Sequence, residues 1–296
     1  MSDGIEIDAD VFLPDAAGPF PALLGLAPYS KVPQTAPIRV SPISTGASLQ
    51  SGQEKATGYL EAGDPNFFVR RGYVHVVANC RGTGKSGGKF DPYGPREIRD
   101  GVEIIEWMAG QPWCDGNVGM FGVSYFGIVQ WLIAAQRPPH LKCIFAPWAL
   151  TDMYRDSVYH GGILGHGFWR VWAYASVDRG RGESWSRKHL GDEAFGQAIA
   201  AALEDPDIAN VPELVQILRN PDAGMNPILV DYYLNPLDGP YWEERRADHQ
   251  AINVPAYLGG DWGVYGLHLP GAFRSWENTA APKKMIIGPQ AYLDRP

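Results

Sequence analysis

Nine residues, Gly119-Met120-Phe121-Gly122-Val123-Ser124-Tyr125-Phe126-Gly127, limit what this 296-residue chain can fold into more than any other stretch. Residues 118–123 read as a buried strand, and Ile128, Val129, Leu132 and Ile133 recur at helical spacing up to Pro138-Pro139. Between strand and helix stands only a tight turn that carries Ser124. A serine at such a turn can be a simple helix cap, or the turn can lift its hydroxyl clear of the backbone as a nucleophile. The second glycine falls at Gly127, one place later than the general G-x-S-x-G elbow would put it, so the narrower pattern G-x-S-Y-x-G is the one met.

The flanks extend the same alternation. Residues 5–13 alternate apolar and acidic side chains like a half-exposed edge strand, and residues 21–27 form a short apolar run before the turn Pro28-Tyr29-Ser30. Residues 74–78 are β-branched and continuous, and a helix is expected over residues 99–108, where Val102, Ile104, Ile105 and Met108 share a face and Gly110 follows. Residues 143–146 supply the next strand. From about residue 148 to 248 the strand signal fades into aromatic and polar stretches with short helices over 194–203 and 212–218. Strands resume at 254–259 and 284–287, with a helix over 267–276 between them. The pattern predicts an α/β fold: a mostly parallel sheet, helices on both faces, and functional groups at the carboxyl ends of the strands. A discontinuous core of residues 1–147 and 249–296, carrying a helical cap of residues 148–248, is the expected division.

Charge and composition narrow the function classes. The formal charge is −8 and no Lys/Arg block occurs, which argues against nucleic acid or an anionic membrane as a partner. Three scattered cysteines, Cys80, Cys114 and Cys143, fit neither a disulfide framework nor a zinc site and suit a reducing compartment. The first residues lack the basic segment and apolar run of a secretion signal, so a cytoplasmic location is expected. The 10 Trp, 25 Pro and 35 Gly point to elaborate loops around an aromatic interior or pocket.

Two other patterns are weaker. Gly82-Thr83-Gly84-Lys85-Ser86-Gly87 fits G-x-G-x-x-G after a strand, but the chain continues as loop through Lys89-Phe90-Asp91-Pro92, and Asn79 stands where a P-loop needs its first glycine. Asp152, Asp156 and His160 are spaced four apart, a pattern more common for a capping or solvated helix face than for a metal site. No metal and no cofactor is expected.

Taken with Asp3-Gly4, Pro28-Tyr29-Ser30-Lys31, Arg70-Arg71-Gly72-Tyr73, Arg81-Gly82-Thr83-Gly84, Gln111-Pro112-Trp113, Gln130-Trp131 and Ile287-Gly288-Pro289, the elbow makes the chain resemble the X-Pro dipeptidyl peptidase, cocaine esterase and α-amino-acid ester hydrolase family. The resemblance implies an α/β-hydrolase fold and a serine hydrolase that cleaves an ester, amide or peptide bond in a small-molecule substrate. It implies that Ser124 is the nucleophile and that the oxyanion hole comes from the Tyr125 N–H and the Tyr29 hydroxyl. Such donors matter because negative charge appears on the former carbonyl oxygen as the tetrahedral intermediate forms.

The other two members of a triad depart from the family pattern. The acid is expected after the strand that ends at Gly259-Gly260, where Asp261 is the available carboxylate, although it sits earlier than the pattern places it. The family's histidine follows a Gly-Pro-Trp-x-His string, but here the run is Gly288-Pro289-Gln290-Ala291-Tyr292. A neutral phenol with a pKa of about 10 is a poor acceptor for the serine proton at pH 7. Three readings stay open: a histidine beyond Pro296, a substitute such as His268, or a catalytically silent module that binds a small ligand or partner. His160 and His166 lie among Tyr154, Tyr159, Phe168, Trp169 and Trp172, read as the lining of an acyl or leaving-group pocket. The resembled family also continues into a further helix and a β-sandwich domain, so a fragment with exposed apolar surface, prone to form a homo-oligomer, is a further expectation.

Overall fold

Six consecutive residues without an exposed side, Val74–Asn79, form the strand β3, and every one of them is buried. A strand covered on both faces belongs inside a sheet layered by helices. The computed structural model describes residues 1–35, 38–39, 57–58, 61–264 and 266–288, and β3 lies within a seven-stranded sheet. Its other strands are β1 (Ala9–Phe12), β2 (Phe20–Ala27), β4 (Cys114–Phe121), β5 (Leu141–Pro147), β6 (Ala256–Asp261) and β7 (Lys283–Gly288). In space they run β1-β3-β2-β4-β5-β6-β7. Only β1 is antiparallel, with Val11 opposite Val76; every other pairing is parallel, as in Ala22 beside both Val74 and Val118.

This order locates a functional crevice. The chain passes from β2 to β3 on one side, then crosses back to lay β4 on the other side of β2. The carboxyl ends of β2 and β4 therefore flank a switch point, where open α/β sheets bind ligands. The residues that follow those two ends are Pro28-Tyr29 and Gly122-Val123-Ser124.

Helices flank the sheet. Helix α1 (Pro95–Ala109) starts with proline at its first position and buries Ile98, Ile104, Ile105 and Met108. Helix α2 (Tyr125–Ala134) has all ten residues buried, as an all-round apolar helix must. Helix α3 (Leu269–Asn278) packs between β6 and β7 in sequence and buries Leu269, Gly271, Ala272 and Ser275. The glycine loop after β3 leads to no helix before Pro95, and Arg81 closes it with a two-point bond to the buried Asp100 (2.6 and 2.7 Å).

Between β5 and β6 the described chain adds no strand to the sheet. It contains the expected helices, now Asp192–Glu204 and Pro212–Arg219, and others including Asn226–Leu234. It also contains a hairpin, Tyr159–His160 with Ile163–Leu164, which the sequence reading did not anticipate; two-residue strands are too short to show a period. Trp169, Trp172, Tyr232, Tyr241 and Trp242 are buried together in this segment. The Asp152–Asp156–His160 pattern does not lie on one regular helix. Asp152 pairs with Arg155 and Arg246, Asp156 pairs with Arg274 of α3, and the His160 ring meets the Asp156 carbonyl. Among the described residues no helix is long and apolar enough to cross a membrane.

Candidate active site

Ser124 sits on the elbow with φ 57° and ψ −123°, a conformation that a non-glycine residue adopts only when its surroundings impose it. Its N–H donates to the Trp148 carbonyl (2.9 Å), and its own carbonyl receives the Ile128 N–H (2.8 Å). The hydroxyl makes no capping bond to α2, so the helix-cap reading of this serine does not describe the geometry. The late glycine of the motif now has a reason. Phe126 occupies the position where the general elbow has its second glycine, and its ring takes the room left by Gly25 of β2, where an added Cβ would lie 3.2 Å from it. Gly122 has φ 137°, and a Cβ there would meet that of Phe126 at 2.5 Å, so the turn can close only over glycine.

His268 approaches the serine from across the sheet. Its Nε2 lies 3.3 Å from Ser124 Oγ, and both groups are buried. The residue stands just ahead of α3 and accepts the Ala272 N–H through its carbonyl (3.1 Å), which ties the ring's position to the helix. Burial pushes its pKa down to about 3, so the imidazole is neutral at pH 7 and can accept a proton.

The two residues expected to supply oxyanion donors are neighbours, with the Tyr29 and Tyr125 rings 5.9 Å apart. Tyr29 follows β2, its hydroxyl receives the indole N–H of Trp172 (3.1 Å), and the Ser124 side chain stands beside its phenol. Burial raises the Tyr29 pKa well above that of a free phenol, so it stays a neutral donor. Tyr125 is the first residue of α2, where backbone N–H groups have no acceptor within the helix. Its side chain points away from the crevice and is held underneath: the hydroxyl donates to both oxygens of Glu97 (2.8 and 2.9 Å), and the ring stacks on Tyr93 at 4.4 Å. Glu97 also accepts the Cys80 thiol (2.9 Å) and the Tyr93 N–H (2.7 Å), and burial pushes its pKa up to about 7. Sequence reasoning missed Glu97, which looks like any acidic residue in a first helical turn.

Asp261 ends β6, buried, and accepts the indole N–H of Trp148 at 2.6 Å. Trp148 connects the acid to the elbow, because its carbonyl holds the Ser124 N–H and its own N–H donates to Gly259 (2.7 Å). The structure thus gathers Ser124, Tyr29, Tyr125 and His268, and links Asp261 to them through Trp148. Tyr292 lies outside the described residues. His166 bonds the Tyr233 hydroxyl (2.9 Å) and does not contact Ser124. A largely apolar cavity of about 560 Å³, lined by Ser157, His160, Ile163, Leu164, Phe168 and Leu267 among others, opens next to the loop that carries His268.

Residues 3–293 match the X-Pro dipeptidyl-peptidase (S15 family) pattern. The chain belongs to the S15 family. A cocaine esterase from Rhodococcus sp. (strain MB1 Bresler) is 30% identical over 299 residues, covering 99% of this chain and 47% of that protein. An Xaa-Pro dipeptidyl-peptidase from Lactobacillus delbrueckii subsp. bulgaricus is 29% identical over 143 residues, 43% of this chain and 18% of its own. The crystal structure of a CocE/NonD family hydrolase from Staphylococcus aureus superposes with a TM-score of 0.68 at 28% identity, covering 97% of this chain and 44% of that one. This S15 chain therefore has the α/β-hydrolase fold expected from its motifs, and it spans less than half the length of these relatives.

Proposed function

We propose that this S15 chain is a serine hydrolase that cleaves a carboxylic ester through an acyl-enzyme on Ser124. The observation that carries the reading is the 3.3 Å approach of His268 Nε2 to the hydroxyl of a serine held at φ 57° beside the switch point. His268, neutral at pH 7, takes the serine proton as Oγ attacks the carbonyl carbon. The Tyr29 O–H and the Tyr125 N–H hold the oxyanion. The imidazolium returns the proton to the leaving alcohol, and a water activated by the same ring then releases the acid. Asp261, oriented by Trp148, is the acid of the set and supplies the negative charge against which the imidazolium forms. Residues 148–248 act as a cap over a core of residues 1–147 and 249–296, a division supported by the reach of Trp172 to Tyr29.

An ester is favoured over an amide or an X-Pro peptide because the relative matching 99% of the chain is a cocaine esterase. The apolar lining of the neighbouring cavity suits an uncharged group. The test is incubation with a fluorophosphonate probe and with p-nitrophenyl acetate, beside a Ser124→Ala control. Labelling of Ser124 and an ester burst absent from the control are expected. A folded protein unlabelled at Ser124 would overturn the reading in favour of a catalytically silent module.

A further inference from the structure

Trp172 is 6% exposed and rigidly packed: its indole lies parallel to the Tyr125 ring (6.0 Å, 7°) and edge-on to Trp169 (5.3 Å). Its N–H meets the Tyr29 oxygen at 3.1 Å. An indole nitrogen donates and cannot accept, whereas a phenol has one proton to donate and lone pairs to receive. The direction of this bond is therefore settled by chemistry. Trp172 occupies a lone pair of Tyr29, and the phenol proton must turn elsewhere.

Resting on the hydrolase reading above, we infer that Trp172 is a positioning residue that sets the polarity of the oxyanion hole, holding the Tyr29 hydroxyl with its proton aimed at the reacting oxygen. In the resting site the Ser124 side chain stands beside the Tyr29 phenol. Once Oγ has attacked, the acceptor is the carbonyl oxygen that has gained the negative charge. A donor already bound to the phenol oxygen also polarises its O–H and strengthens the second bond, as hydrogen bonds in a chain do. Since Trp172 belongs to the segment between β5 and β6, that segment contributes to the chemical step as well as to the walls of the site.

The test is a double-mutant cycle of Trp172→Phe and Tyr29→Phe, read as kcat and KM for p-nitrophenyl acetate and as the rate of fluorophosphonate labelling at Ser124. Trp172→Phe keeps an aromatic ring but removes the N–H. It is expected to lower kcat by about 10-fold with KM changed less than about twofold, and to cause no further loss in the Tyr29→Phe background. The same loss in both backgrounds would overturn the inference, because packing alone acts independently of the Tyr29 hydroxyl. If Tyr29→Phe leaves kcat unchanged, the oxyanion role of Tyr29 fails first, and an unreactive parent sinks both readings. Should Trp172→Phe fold poorly, a benzothiophene analogue of tryptophan at position 172 keeps the ring shape without the N–H; it should reproduce the loss, and full activity would reject the inference.

Discussion

Ser124 Oγ and His268 Nε2 lie 3.3 Å apart although 144 positions separate them in the chain. The serine is placed by the end of β4 and the histidine by the start of α3, so their approach depends on strands β4 and β6 being separated by β5 alone. The S15 chain thus brings an imidazole to the elbow serine from a position ahead of α3.

His268→Ala should lower kcat for p-nitrophenyl acetate by about 10²–10⁴ while the far-UV circular dichroism stays that of the parent. Ser124 labelling should slow in parallel. A variant that keeps full activity would show that another group takes the serine proton.

The pH profile should reflect the burial of that imidazole. With the His268 pKa pushed down to about 3, protonation of the base does not limit kcat/KM between pH 5 and pH 8. A profile measured across that interval is expected to be flat, and an acid limb near pH 6.5 would contradict it.

His75, buried in β3 beside Phe68, is also held neutral, its pKa lowered to about 4 by burial. Its folded-state value lies below the unfolded value of 6.5, so the associated stability is present above pH 6.5 and is lost as pH falls toward 4. Urea denaturation of the parent and of His75→Phe at pH 7 and pH 5 should show the parent losing about 2 kcal/mol more than the variant over that step.

Glu97 works in the opposite direction. Its folded pKa of about 7 exceeds the free value of 4.5, so its contribution is present below pH 4.5 and is lost as pH rises through 7. Glu97→Gln should therefore improve relative to the parent by about 2 kcal/mol between pH 5 and pH 8, measured by denaturant titration. An unchanged difference would mean that the carboxyl titrates like an exposed one.

Trp148→Phe removes the donor that orients Asp261 while keeping a ring in place. On the proposed mechanism, in which Asp261 faces the imidazolium, kcat should fall by about 10-fold with KM nearly unchanged. Equal losses in kcat in the parent and in an Asp261→Asn background would show that Trp148 acts without Asp261.

The sequence reading placed the sheet strands and core helices well because each is a local pattern. Val74–Asn79 is recognisable from six neighbouring residues, and the elbow from a strand, a turn and a helix that follow one another directly. Helix α1 begins at Pro95, earlier than the expected residue 99, since proline at the first helical position starts the turn before its apolar period shows. Tyr29, Ser124 and Tyr125 were singled out by short motifs and by the family those motifs resemble. By itself, then, the sequence determined the α/β alternation, the elbow and the residues adjoining it. Only the tertiary structure decided that His268 meets Ser124, that Trp172 meets Tyr29, that Trp148 donates to Asp261, and that Glu97 anchors Tyr125. Those contacts join residues far apart in the chain. They depend on strand order and on the path of the segment between β5 and β6, which no local period encodes.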